Sequence, residues 1–107
     1  MEYDKLSLTL KAMADPKRMK IIDLLSCGSM CACDVLEHFD FTQPTLSHHM
    51  KVLEKAGIIT VSKKGQWHYY TLKDGFSQEI MRSMSQLLSD DVTNCICNGK
   101  CNHKRER

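Results

Sequence analysis

Residues Ser29–Gly57 read SMCACDVLEHFDFTQPTLSHHMKVLEKAG, and two helical patterns lie inside that stretch. Val35, Leu36 and Phe39 share one face of a short helix over residues 32–39. Leu46, Met50 and Leu53, spaced by four and three, share a face of a longer helix that runs to Ala56. Thr42 stands where a side-chain oxygen can cap the second helix, and Gly57 where a glycine can end it. Beyond Gly57 the period becomes extended: Ile58-Ile59-Thr60-Val61 and Trp67-His68-Tyr69-Tyr70-Thr71-Leu72 are β-branched and aromatic. They flank Lys63-Lys64-Gly65-Gln66, which predicts a hairpin.

Working outward, Tyr3, Leu6, Leu10 and Met13 predict a first helix over residues 2–13. Asp15-Pro16 reads as an N-cap with proline at the first helical position. The helix it opens carries Met19, Ile22 and Leu25 inward and stops at Gly28. A last helix over residues 75–89 buries Phe76, Ile80, Met84 and Leu87. The order is α-α-α-α-β-β-α: a mostly helical chain with a hairpin wing, a winged helix-turn-helix. It occupies residues 1–89, and residues 90–107 form a polar, cysteine-rich tail.

At 107 residues the chain makes one domain, and 42% hydrophobic with 26% charged residues is ordinary for a globular protein. The acidic start Met1-Glu2-Tyr3-Asp4 does not suit a signal peptide, and no segment is long enough to span a bilayer. The expected location is the cytoplasm, where six cysteines serve as thiols or metal ligands rather than disulfides. From Gln43 to Lys73 five lysines (51, 55, 63, 64 and 73) face Glu54 alone, leaving +4 within a chain of net +2. Such a local field suits double-stranded DNA as a partner.

In a helix-turn-helix the second helix enters the major groove. With Leu46, Met50 and Leu53 inward, Ser47, His48 and Lys51 face outward, and Gln43 and Thr45 lie in the first turn. Gln pairs with adenine, Ser and Thr with several bases, Lys with guanine or phosphate. Lys63 and Lys64 at the hairpin tip can touch backbone or minor groove.

Cys31 and Cys33 pose a geometric problem. Two residues apart on a regular helix, their side chains diverge by about 200°. They can hold one ion only where the helix begins or unwinds. There the helix N-terminus should also lower a thiol pKa.

Three segments, LKAMADPKRMKIIDLLSCGSMCACDVL, TQPTLSHHMKVLEKAGII and KKGQWHYYTL, together resemble the ArsR/SmtB family of metal-sensing repressors, nearest to its arsenic-responsive members. The likeness covers about Leu6 to Leu72. It implies a homodimer built on the first and last helices, an inverted-repeat operator, and release when As(III) or Sb(III) binds thiolates, with no organic cofactor. Such soft centres take three thiolates. The family often has a cysteine three residues after the second, but Leu36 stands there. Cys27 is one substitute, and Cys95, Cys97 and Cys101 are others. The tail spacing C-x-C-x3-C-x-H also allows a separate three-thiolate site, or zinc with His103. The last helix lacks the His/Asp pairs of the family's interfacial zinc sites.

Three competitors remain. Cadmium or lead sensors of this fold add thiolates from an N-terminal arm, and no cysteine precedes the first helix here. A redox repressor would join Cys31 to Cys33, or tail thiols, in a disulfide. A thiol enzyme or metallochaperone is disfavoured, since no Cys-His-acid arrangement or phosphate loop occurs.

Overall fold

Asp15 makes the first local decision in the folded chain. In this computed structural model, which describes residues 1–89, its carboxylate accepts the N–H groups of Lys17 at 2.8 Å and Arg18 at 3.1 Å. Those donors would otherwise be unpaired at a helix start, so the chain turns there between α1 (Tyr3–Met13) and α2 (Pro16–Leu25). Gly28, at φ +137°, ends the segment after α2 in a backbone region that glycine enters without strain.

The chain then enters β1 (Met30–Cys31), α3 (Ala32–Leu36) and α4 (Gln43–Lys55), followed by β2 (Ile59–Lys64), β3 (Trp67–Leu72) and α5 (Phe76–Leu88). The sheet order is β1-β3-β2, antiparallel throughout. Strand β1 is the element missing from the predicted order. Its two residues are too few to show a period, and Met30↔Tyr70 with Cys31↔Tyr69 holds them. Helix α3 is also shorter than predicted, because the chain turns at Glu37 and reaches Phe39 outside the helix.

One core holds these pieces. Ile21, Leu25, Val35, Leu46, Met50, Leu53, Ile58 and Ile59 are each at most 2% exposed. Each such side chain contributes about 1.5–3 kcal/mol by leaving water. They join α2, α3, α4 and the sheet, so α4 is held on its apolar stripe alone. Two predicted inward residues are corrected. Met19 is 57% exposed, because α2 turns Ile21 and Leu25 inward instead. Leu87 is 49% exposed, on a terminal helix whose inward residues are Phe76, Ile80 and Ser83.

Candidate nucleic-acid interface and thiol site

Helix α4 carries its polar residues on the side away from the core. Gln43, Ser47, His48 and Lys51 are exposed and Thr45 is half-buried. The Thr42 side chain does not cap the helix as expected; its hydroxyl lies 3.4 Å from that of Thr45 instead. The Thr42 carbonyl still accepts the Leu46 N–H at 3.1 Å, so the helix begins where the sequence placed it.

A polar lock behind α4 was not anticipated. His49 is buried at 8% exposure, and its Nδ1 lies 3.1 Å from Arg18 Nη1. A guanidinium only donates, so Nδ1 accepts and the ring proton belongs on Nε2. Arg18 Nε also donates to the Ala12 carbonyl at 2.6 Å. One side chain thereby ties α1, α2 and α4 together. The backbone N–H of Arg18, foremost, holds the Asp15 carboxyl below its ordinary range. Burial pushes His49 below its ordinary value, against the opposing pull of the Asp15 charge. The ring of Phe41 lies 5.6 Å from that of His49 and stacks on Phe39 at 4.5 Å, closing the turn before α4. A signal for His49 existed. It stands three residues after Leu46 and four before Leu53, inside the apolar stripe.

On the wing, Lys63 and Lys64 are exposed, but strand β2 runs through both and the turn is Gly65-Gln66. Cross-strand pairing sets Lys63 opposite His68 and Lys64 opposite Trp67. Successive strand residues point to opposite faces, so the two lysines diverge rather than act as a pair. Lys64 Nζ lies 5.3 Å from the centre of the Tyr69 ring.

Cys31 answers the geometric problem of the C-x-C spacing. It ends β1 and caps α3 with extended backbone, φ −68° and ψ 147°, so it is outside the helix that contains Cys33. Its sulfur accepts the Cys33 N–H at 3.3 Å, and the two sulfurs lie 2.6 Å apart as free thiols. Cys31 is buried and Cys33 exposed, so the pair opens to solvent on one side. The expected lowering of thiol pKa is reversed at Cys33. Its hydrogen bond with Cys31, joined by partial burial and the charge of Asp34, pushes it up. A single five-residue helix cannot outweigh those neighbours. Cys27 is exposed after α2. Among the described residues no three His, Cys, Asp or Glu side chains gather into one ligand group. Cys95, Cys97 and Cys101 lie outside the described residues.

A helix-turn-helix with an exposed polar reading face and a two-stranded wing defines a DNA-binding transcriptional regulator. Residues 15–61 match the family described as bacterial regulatory protein, arsR family. The arsenical resistance operon repressor of Staphylococcus xylosus is 46% identical over 105 residues, covering 94% of this chain and all of that protein. Its counterpart in Staphylococcus aureus is 44% identical over 97 residues, 91% of this chain and 92% of that one. The crystal structure of an ArsR family transcriptional regulator shares the fold at TM-score 0.73, with 22% identity over 81% of this chain and 90% of that chain. This chain belongs to the ArsR family of winged-helix transcriptional regulators.

Proposed function

We propose that this protein is an arsenic-responsive repressor that binds operator DNA as a homodimer and lets go when As(III) or Sb(III) binds Cys31 and Cys33. The observation that carries the reading is the convergence of two sulfurs at the start of α3, one short turn ahead of the reading helix. The donor set fits the ligand: soft thiolates select a soft centre. Two relatives named arsenical resistance operon repressors, each about as long as this chain, support the same class of signal.

DNA contact falls to Gln43, Thr45, Ser47, His48 and Lys51 on α4 and to Lys63 and Lys64 on the wing. Dimerisation uses α1 and α5, where Tyr3, Met81, Leu87 and Leu88 are 63%, 69%, 49% and 70% exposed. An apolar groove of about 360 Å³ between Tyr3, Leu6, Leu10 and Leu87 is open to receive a second copy. Two reading heads then meet half-sites about one DNA turn apart. Metalloid binding draws both sulfurs onto one atom and shifts the short helix α3, which carries Val35 into the core under α4. The ligand thus favours the arrangement that binds DNA poorly, and the coupling is reciprocal.

The test is operator fluorescence anisotropy against added arsenite. Wild type should release DNA, whereas Cys31→Ser and Cys33→Ser should bind the operator normally and hold it. Serine is close in size and caps a helix start, but its hard hydroxyl does not replace a thiolate. Cys27→Ser and a chain ending before Asp90 then decide whether Cys27 or the tail cysteines supply a third thiolate. Release by both serine variants at wild-type arsenite would move the inducer site elsewhere. Release by peroxide in arsenic-free, chelator-treated protein would favour a redox signal instead.

A further inference from the structure

Beside the thiol pair lies a cleft of about 140 Å³ that the arsenite reading leaves without a task. Cys33, Ala32 and Leu36 of the α3 segment form one side, and Trp67 and His68 of the wing form the other. Gln43, the first residue of the reading helix, closes one end. A cavity of about 150 Å³ lined by apolar side chains accepts benzene. The cleft is therefore of a size to take one aryl group. Cys33 borders it, and the Cys33 sulfur stands 2.6 Å from that of Cys31. An arsenic atom held by both sulfurs sits at its mouth.

We propose that this cleft receives the organic substituent of a trivalent organoarsenical, making the protein a sensor of aryl- or alkyl-substituted arsenic(III), with Trp67 as the residue that selects for it. The proposal rests on Cys31 and Cys33 being the metalloid ligands and specifies which arsenicals they prefer. Inorganic arsenite carries three exchangeable oxygens and is satisfied by three thiolates. A monosubstituted arsenical has one arsenic–carbon bond that does not exchange, so two thiolates satisfy it. Among the described residues two thiols converge and no three-ligand group forms. Where the family pattern has its further cysteine, Leu36 stands, and that apolar side chain lines the cleft. The same position that withholds a thiolate thus supplies a surface for carbon.

The chemistry balances without a redox partner. The hydrated arsenical R–As(OH)2 meets two thiols; two As–O bonds break and two As–S bonds form. The thiol protons leave with the hydroxides as two waters, and arsenic stays trivalent. The substituent R remains on arsenic and lies against Leu36 and the Trp67 ring. Trp67 is 48% exposed, so an aryl group between it and α3 removes apolar surface of both from water. Because wing and reading-helix residues share the lining, the same occupant touches two DNA-facing elements at once.

Isothermal titration calorimetry on the reduced, full-length protein tests this, with phenylarsine oxide and sodium arsenite as probes. Wild type, Trp67→Ala, Trp67→Phe and Cys33→Ser are compared, and heat that survives in Cys33→Ser is subtracted as binding elsewhere in the chain. The phenyl compound should bind the Cys33-dependent site about tenfold or more tightly than arsenite, the scale of one well-placed aromatic pair. Trp67→Ala should remove most of that preference while leaving arsenite affinity unchanged, and Trp67→Phe should restore it. A preference that survives Trp67→Ala, or equal binding of both probes, overturns the cleft while Cys33-dependent arsenite binding keeps the metalloid site. If neither probe depends on Cys33, the metalloid site falls, and the cleft with it.

Discussion

Two regions of the molecule sit one turn apart and are built in opposite ways. Behind the reading helix, Arg18 reaches the Ala12 carbonyl and His49 while Asp15 caps α2, so three helices share one polar lock over an aliphatic core. At the thiol pair, a two-residue strand leads into a five-residue helix, held by Val35 and two register pairs. The first region has many partners and no reason to move. The second has few, and short elements open at small cost. A repressor gains from this division: the surface that reads DNA is rigid, and the surface that reads the inducer can yield without unfolding the rest.

Removing the lock is the most direct way to break the contrast. Arg18→Met keeps the aliphatic stem but leaves the Ala12 carbonyl and the buried His49 Nδ1 without their donor. Losing charged hydrogen bonds at a part-buried site should cost about 2–3 kcal/mol, or roughly 10 °C in thermal midpoint for a domain of this size. Thermal unfolding followed by circular dichroism measures it. Operator affinity should fall with it, whereas arsenical binding by Cys31 and Cys33 should stay near wild type. A variant that lost both functions equally would show that the two regions are one mechanical unit.

The DNA-facing residues divide along a finer line. Ser47→Ala or His48→Ala should weaken specific binding by about 1–2 kcal/mol and hardly affect random-sequence DNA. Lys63→Ala and Lys64→Ala should weaken both and each lower the salt slope by about one. Because β2 carries the two lysines to opposite faces, the variants should differ from one another, and the lysine nearer the phosphates should show the steeper change. Anisotropy titrations on operator and scrambled duplexes across a salt series separate these outcomes.

How much of this was legible in the sequence depends on how far each signal reached. Helix α4, the hairpin and the Asp15 cap were readable because each rests on a pattern within a few residues: a 3–4 spacing, a β-branched run, an Asp-Pro pair. The C-x-C pair was readable as a candidate since only a helix start brings such sulfurs together. Strand β1 was not, because its partners Tyr69 and Tyr70 lie almost forty residues away. Nor was the Arg18–His49 bond, whose ends are 31 positions apart. The outward turn of Leu87 was missed for another reason. An apolar residue on a terminal helix reads as core whether it meets its own chain or a second copy.

The smallest expected effect probes the lock through pH. His49 is buried and neutral, with Nδ1 accepting from Arg18, and its pKa is pushed below the ordinary value of 6.5 by burial first. Arg18, His48 and Lys17 press the same way, and the Asp15 charge opposes them. The sign follows from proton binding. Between the folded pKa and about 6.5 the unfolded chain holds more protons on this residue, so stability rises with pH there. The contribution is fully present above about 6.5 and is lost as pH falls toward the folded pKa. Protonation would place a second positive charge against Arg18 and remove the acceptor, so the lock loosens on the acid side. Exposed histidines also titrate in this range, so the comparison must be made by difference. In His49→Asn the side-chain oxygen can still accept from Arg18 but does not titrate. Urea unfolding at a series of pH values from 5 to 7.5 should show wild type losing stability relative to His49→Asn as pH falls. Parallel curves would mean that His49 does not titrate differently in the folded and unfolded chain. The reading helix would then be held by its aliphatic stripe without help from the lock's protonation state.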